Sequence, residues 1–163
     1  PLMNNTMPQV SDIRLMVRAE QPVLSTRTKV SYKDLEWTLA RKRQDALALL
    51  RKTGKYMTDV PFIIYYDYLN MDIYDLDVEI CFPVSCLMEG DENVRSRVIP
   101  QSKVVHCLFK GDYEEINYLY GEMTFWMMQK GYEPEGTAYE FYYRRKEEPF
   151  DDGLTKIVLP VKS

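Results

Sequence analysis

Glu140 is an acidic residue within an otherwise apolar and aromatic stretch, TAYEFYY, at residues 137–143. β-Branched and aromatic residues without an internal Gly or Pro predict a β-strand. A carboxylate buried in such a strand costs several kcal/mol unless it is paired or hydrogen-bonded. Ring faces attract cations by about 0.5–2 kcal/mol, and a carboxylate attracts them as well. The stretch therefore predicts either a cation-binding pocket at Glu140 or a surface ion pair with a basic residue such as Arg144 or Arg145.

The composition is typical of one globular domain. The chain has 163 residues, of which 45% are hydrophobic and 28% are charged, enough to build a core. It contains no apolar run of the roughly 18 residues that span a bilayer, and its start lacks the layout of a secretory signal. We therefore expect a cytoplasmic protein without a membrane partner, and we interpret residues 1–10 as a leader or a remnant of cloning.

Neither a metal site nor a nucleic-acid surface is predicted. The three cysteines, Cys81, Cys86 and Cys107, show no CxxC spacing, and His106 is the only histidine. We therefore expect no metal and no cofactor. The net charge of -4 disfavours contact with a phosphate backbone, so direct binding of nucleic acid by this chain is not expected.

An internal repeat begins at two predicted helix starts. KVSYKDL at 29–35 and KGDYEEI at 110–116 lie 81 positions apart. Each places a capping residue, Ser31 or Asp112, before a tyrosine, with an acid three positions after the cap. This arrangement is that of a capping box, so both segments predict the start of a helix.

The two predicted helices end at glycines suited to a C-terminal cap, Gly54 and Gly131. The glycines are 77 positions apart, so the first helix is longer by about one turn. The second helix carries an apolar stripe at steps of 3, 4, 3 and 4: Tyr113, Ile116, Tyr120, Met123 and Met127. The first helix carries a less regular stripe: Tyr32, Leu35, Leu39, Ala46 and Leu50.

Beyond the helices the two copies stay 77 positions apart. FIIYYD at 62–67 overlays YEFYYR at 139–144, and EICFPV at 79–84 overlays KIVLPV at 156–161. A strand interrupted near a proline also precedes each helix. Each copy therefore predicts a βαββ module.

The predicted fold is α+β, with two tandem βαββ modules related by a pseudo-two-fold axis. We place module one at 11–85, a linker at 86–95 and module two at 96–163, all within a single domain at 11–163. Both helices are expected on one side of antiparallel sheets. The other side is expected to face a ligand cleft between the modules.

The repeat also predicts which residues share a face of the strands. Under the 77-residue offset Glu140 corresponds to Ile63 and Tyr142 to Tyr65, so alternation places these four on equivalent faces. The intervening residues are apolar and are expected to face the helices: Phe62, Ile64, Tyr139 and Phe141. Glu140 then points into the cleft, where rings around one carboxylate are typical of a small-molecule pocket. An aromatic or lipophilic cation is the partner that this chemistry favours.

In their order and spacing these motifs resemble the GyrI-like small-molecule-binding domain, also called the bacterial transcription activator effector-binding domain. The resemblance covers residues 12–161 and rests on five segments: KGDYEEI, PFIIYYD, EICFPV, Trp126 with KGY, and YEFYY closing on LPV. The family often has His two residues before the helix-start glycine, where this chain has Phe109. In the first copy Val30 replaces that glycine.

The resemblance implies two tandem βαββ modules with a cleft on the axis, in which Glu140 engages cationic or polar ligands among aromatic side chains. In regulators of the family such a domain follows a helix-turn-helix DNA-binding domain, and no such segment is recognised in this sequence. The chain is therefore interpreted either as a free-standing drug-binding protein or as the effector-binding part of a transcription regulator.

Two other functions are compatible with the resemblance. Some family members resemble hydrolases that open cyclopropane groups of DNA-alkylating natural products. Glu140 would then act as the base and Tyr65 or Tyr142 as the proton donor. A gyrase-inhibitor-like module that binds a protein partner through its surface is the third hypothesis. We commit to no catalytic residue, because binding requires only the cleft.

Three further residues are candidates for the cleft, each with a structural alternative. Trp126 would either roof the cleft or pack beside the apolar stripe. Phe109 would either line the cleft or anchor the second helix. Glu79 would be either a second acid in the cleft or the ion-pair partner of its repeat mate, Lys156.

Overall fold

The computed structural model describes residues 9–111, 115–143 and 153–163. Two helices separate three runs of strands in these ranges, as the repeat predicts. No described helix is both long and apolar enough to cross a membrane. The elements are β1 Gln9–Val10, β2 Arg14–Arg18, β3 Gln21–Val30, α1 Tyr32–Thr53, β4 Phe62–Tyr65, a 3-10 turn Tyr68–Asn70, β5 Leu76–Pro83, β6 Arg95–Ile99, β7 Ser102–Lys110, α2 Ile116–Lys130, β8 Ala138–Tyr143 and β9 Leu154–Pro160.

The two predicted modules share one antiparallel sheet of nine strands. The strand order is β1-β7-β9-β8-β4-β5-β3-β6, and β2 also pairs with β7. The middle of this order is the pairing of β4 with β8, in which Ile63 lies opposite Glu140. These two residues are 77 positions apart, the same offset that relates the repeats. The pair therefore lies on the pseudo-two-fold axis.

The first strand of each module pairs with the other module. β2 runs along β7, and β6 runs along β3. Strand structure is interrupted between β2 and β3, just before Gln21, and between β6 and β7, near Pro100. Both interruptions were predicted from the sequence. Gln9 and Val10, placed in the leader by the sequence, form β1 and extend this edge of the sheet. Residues 1–8 of that leader lie outside the described residues.

The predicted start of α1 and both predicted C-terminal caps are confirmed, whereas α2 is described from Ile116, with Glu115 at its N-cap and no side-chain cap hydrogen bond there. The Ser31 hydroxyl accepts a hydrogen bond from the Asp34 backbone N–H at the start of α1. α1 and α2 end at Gly54 and Gly131, whose φ angles of 68° and 79° are left-handed and suit glycine. The predicted cap of α2, Asp112, and the tyrosine after it lie outside the described residues.

Both helices pack on the same side of the sheet, here called the front face, which carries Ile63, Tyr65, Glu140 and Tyr142. The buried stripe of α2 and the buried residues of α1 share one core with Ile63 and Tyr65. The prediction that the helices cover the opposite, back face was therefore wrong. Phe62, Ile64, Tyr139 and Phe141 form a separate cluster there. Alternation could not decide between the faces, because both are apolar.

Cationic side chains cover the rings of the back face. The Arg18 guanidinium carbon lies 4.8–5.3 Å from the ring centroids of Phe62, Tyr139 and Phe141. The Lys156 ammonium lies 4.3 Å from the Phe141 centroid. The long apolar stems of such residues shield rings from water while the charges attract the ring faces. This explains how an aromatic face persists without a covering helix.

Glu79 lies on the back face, opposite Ile64. Arg97 donates two hydrogen bonds to its carboxylate, at 2.6 and 2.7 Å, and Tyr66 and Ser25 donate one each, at 2.6 and 2.7 Å. Glu79 is therefore not a second acid in the front-face cleft. The alternative, an ion pair between the modules, is confirmed, but the partner is Arg97 of module two rather than Lys156.

The apolar stripe of α2 generates a stability prediction with a neighbouring control. Met127 is fully buried whereas Met128 is 70% exposed. Because truncation leaves a cavity, Met127→Ala should lower the free energy of unfolding by about 2–5 kcal/mol. Met128→Ala should change it by less than about 0.5 kcal/mol. Urea unfolding measures both, and similar losses would contradict the packing described for α2.

The Glu79 cluster generates a pH prediction. Burial alone would raise the pKa of Glu79, but hydrogen bonds from Arg97, Tyr66 and Ser25 outweigh burial and hold that pKa below its usual 4.5. This stabilisation is complete above the unfolded pKa and is lost as pH falls through the folded pKa. Glu79→Gln should therefore lower the free energy of unfolding most at pH 7, with a difference from wild type that shrinks below about 4.5.

The control for this prediction is Glu133→Gln. Glu133 pairs with Lys162 at the surface, where the side chains are 71% and 56% exposed, so its removal should have little effect at any pH. Urea titrations at several pH values measure both variants. A difference for Glu79→Gln that stays constant from neutral to acidic pH would contradict the prediction.

Candidate functional site

Glu140 is a buried carboxylate at the axis of the molecule, 2% exposed. Tyr142, two residues along β8, donates a hydrogen bond of 2.7 Å to its Oε1. Tyr120, on the inner side of α2, donates one to Oε2. A strand and a helix of module two thus hold the same carboxylate from two directions.

A third phenol continues this network into module one. The hydroxyls of Tyr65 and Tyr142 are 2.7 Å apart, and the two residues are repeat mates. A phenol has one proton, and Tyr142 uses its proton on Glu140. Tyr65 must therefore donate to Tyr142. The hydroxyl protons of Tyr65, Tyr142 and Tyr120 all point along the network toward the carboxylate, which strengthens each bond.

A cleft of about 300 Å³ opens beside this network, between α1 and the middle of the sheet. Its volume is at the lower end of the range for ligand pockets. Its sheet side is formed by Ile63 and Tyr65 of β4 and by Tyr142 of β8. Ile63 and Tyr65 are both buried. The α1 side is lined by Tyr32, Lys33, Leu35, Glu36 and Leu39. Glu140 is connected to the cleft through Tyr142.

The structure brings together four of the seven residues that the sequence nominated for ligand binding: Ile63, Tyr65, Glu140 and Tyr142. Their role in binding stays a prediction. Glu79 lies on the back face, as described above. Phe109 and Trp126 lie on the front side but line a different hollow, between α2 and residues 10–14. The repeat predicts which face of the sheet a residue occupies. It does not predict whether that residue lies in the cleft beside α1 or in the hollow beside α2.

Sequence reasoning missed Tyr120 and the contribution of α1. Tyr120 belongs to the predicted apolar stripe and was interpreted as core packing. Its hydroxyl was the available signal, because a buried tyrosine usually needs a hydrogen-bond partner where a leucine or methionine would not. Tyr32, assigned to the α1 stripe, is half exposed and lines the cleft instead of the core.

Solved structures of several proteins share this fold, among them EcmrR, a hydrolase from Listeria innocua and SAV2435. EcmrR in its DNA complex has a TM-score of 0.79 at 23% identity, over 96% of this chain and 58% of that chain. The EcmrR C-terminal domain gives 0.76 at 22%, over 97% and 99%. This chain thus spans 58% of the EcmrR chain in the DNA complex.

A hydrolase encoded by lin2189 from Listeria innocua gives a TM-score of 0.70 at 15% identity, over 92% of this chain and 91% of that chain. SAV2435 bound to tetraphenylphosphonium gives 0.61 at 11%, over 94% and 95%. At these identities the likeness establishes the fold alone.

Sequence comparison gives the family. No curated protein matches the chain. The family described as the GyrI-like small molecule binding domain matches residues 11–162, nearly the whole chain, and its expected α+β fold is the one described above. The protein belongs to the GyrI-like small-molecule-binding domain family.

Proposed function

We propose that this protein binds lipophilic organic cations in the cleft between α1 and the middle of the sheet, with Glu140 supplying the opposite charge. The observation that carries this proposal is the placement of Glu140. It is buried on the axis and held by phenols of Tyr120 and Tyr142. A carboxylate kept in an apolar layer at the expense of hydration is suited to attract a cation that also loses water.

The surroundings of the carboxylate favour a cation with an apolar body. Tyr65, Tyr142 and Ile63 offer ring faces and aliphatic surface on the sheet side of the cleft. Lys33 and Glu36 at α1 contribute one charge of each sign to the cleft lining, and Glu140 adds a carboxylate behind Tyr142. Cation-ring contacts add about 0.5–2 kcal/mol each, and a low local dielectric strengthens the attraction to the carboxylate.

Two proteins with the same fold support a lipophilic cation as the ligand and a role in transcription regulation. SAV2435, with the same fold, is bound to tetraphenylphosphonium, a lipophilic cation. EcmrR, also with the same fold, is in a complex with DNA. We propose that this domain is either the effector-binding part of a transcription regulator or a stand-alone cytoplasmic drug-binding protein.

The test compares tetraphenylphosphonium with neutral triphenylphosphine oxide by isothermal titration calorimetry. Wild type should bind the cation more tightly than the neutral compound. Glu140→Gln keeps the size of the side chain and removes its charge. It should weaken cation binding by about tenfold, equivalent to about 1.4 kcal/mol, while binding of the oxide changes little.

Glu92→Gln is the matched control, because it removes one negative charge from an exposed position of the connector before β6. It should leave both affinities unchanged. Equal weakening by the two variants would show a general effect of net charge. Unchanged cation binding by Glu140→Gln would remove Glu140 from the ligand site.

Hydrolysis is the second candidate, since the fold also occurs in a hydrolase and the network combines a carboxylate with phenols. Glu140 would take a proton from a water that attacks a cyclopropane carbon. As the carbon–carbon bond breaks, its electron pair would pass into the conjugated dienone, and Tyr65 or Tyr142 would protonate the carbonyl oxygen, which becomes a phenol. The tyrosine would then recover a proton from Glu140. Both carboxylate oxygens already accept phenol hydrogen bonds, so a water would have to share one of them.

A spirocyclopropane-cyclohexadienone separates the two candidates. With incubation followed by mass spectrometry, binding alone predicts that the compound stays intact beyond its hydrolysis in buffer. Catalytic formation of the water adduct, lost in Glu140→Gln and Tyr142→Phe, would favour the hydrolase. In that case hydrolysis, and not the binding of cations, would be the function of the cleft.

A further inference from the structure

A second and larger hollow lies between α2 and residues 10–14, which link β1 to β2. We call it the α2 hollow. Its volume is about 1070 Å³, at or slightly above the upper end of the range for ligand pockets. Phe109 of β7 and Leu119 of α2, each 2% exposed, and Ile13 and Trp126 give it apolar surface. The other lining residues are Val10, Ser11, Asp12, Arg14, Glu115, Tyr118 and Glu122.

The α2 hollow is distinct from the cleft described above. The two share no lining residue. Phe109 belongs to β7, and β9 and β8 lie between β7 and the axis at which Glu140 sits. With strands about 4.8 Å apart, that separation is roughly 10 Å along the sheet from β8. α2 presents Tyr120 to the carboxylate and Glu122 and Trp126 to the hollow. A molecule in one site therefore does not occupy the other.

The charges around the α2 hollow are mainly negative. Asp12 and Arg14 form an exposed ion pair at 3.7 Å and compensate each other. Glu115 and Glu122 both line the hollow, and neither forms an ion pair with a described residue. Tyr118 lines the hollow one helical turn before Glu122, so the rim also carries an aromatic ring beside a carboxylate. This arrangement disfavours anions.

We propose that the α2 hollow is a second ligand site and that it takes flat aromatic cations. The Trp126 ring, which stacks on Tyr132, already has the Lys130 ammonium 5.7 Å from its centroid, and this contact shows its attraction for cations. Phe109 and Leu119 provide an apolar floor. Glu115 and Glu122 provide complementary charge. This inference does not rest on the function proposed for the cleft, because it uses no residue of that site.

Trp126 allows the site to be observed directly. The chain has two tryptophans, and Trp37 on α1 is 64% exposed, so Trp37→Phe leaves Trp126 as the only indole with little cost. N-methylacridinium is the probe, and acridine, uncharged at pH 8, is its neutral analogue. The cation should quench Trp126 emission saturably, and acridine should do so at least about fivefold more weakly.

The charge test uses two double variants in the Trp37→Phe background. Glu115→Gln/Glu122→Gln should weaken acridinium binding at the α2 hollow by about fivefold, because exposed carboxylates each contribute modestly. Glu89→Gln/Glu92→Gln removes the same charge from the connector and should have no effect. Raising the salt from 0.1 to 0.5 M should reduce the difference between the double variants.

Quenching of Trp126 in the Glu140→Gln variant separates this site from the cleft. Glu140→Gln should leave the quenching of Trp126 by N-methylacridinium unchanged, even if tetraphenylphosphonium binds nowhere in the protein. Three results would each overturn the α2 site: quenching lost in Glu140→Gln, equal quenching by acridine, or equal weakening by the two double variants. Urea midpoints within error of wild type would exclude unfolding as the cause of any loss.

Discussion

The pairing of β4 with β8 is the constraint on which the rest of the structure depends. It joins the two repeats into one sheet, and it places Ile63 opposite Glu140 on the axis. A shift of this register by one residue would turn Glu140 to the back face, because strand side chains alternate. The aromatic contact of Phe62 with Phe141, whose centroids are 4.5 Å apart, fixes the same register from the other side of the sheet.

The two halves share a backbone plan but carry different charges on it. On the front face Ile63 in one half matches Glu140 in the other, and on the back face Glu79 matches Lys156. Glu79 is held by the permanent cation of Arg97, whereas the described hydrogen bonds to Glu140 come from phenols. A buried carboxylate bound to Arg is a structural element.

Much of the fold could be predicted from the sequence because the repeat is expressed in local signals. Ser31, Gly54 and Gly131 act within one helical turn, and an offset of 77 residues identifies the pair on the axis. The choice of face could not be predicted, since apolar residues fill both sides of the sheet. For Phe109 and Trp126 the sequence left open whether they line the cleft or pack in the core, and both lie in the core region beside the α2 hollow. Their surroundings depend on residues 10–14, which lie beside β7 because β1 and β2 pair with that strand. No local sequence pattern predicts this pairing.

The exchange of β2 and β6 between the halves has a consequence for the order in which the protein can mature. When module one has been synthesised, β3 still lacks its outer neighbour β6 and β4 lacks β8. Both edges of that half-sheet then offer unpaired backbone groups, which are sites for association with other chains. β2, meanwhile, has no partner until β7 emerges. The nascent protein therefore has its greatest exposure to aggregation midway through translation, and completion of the second half protects both ends of the first.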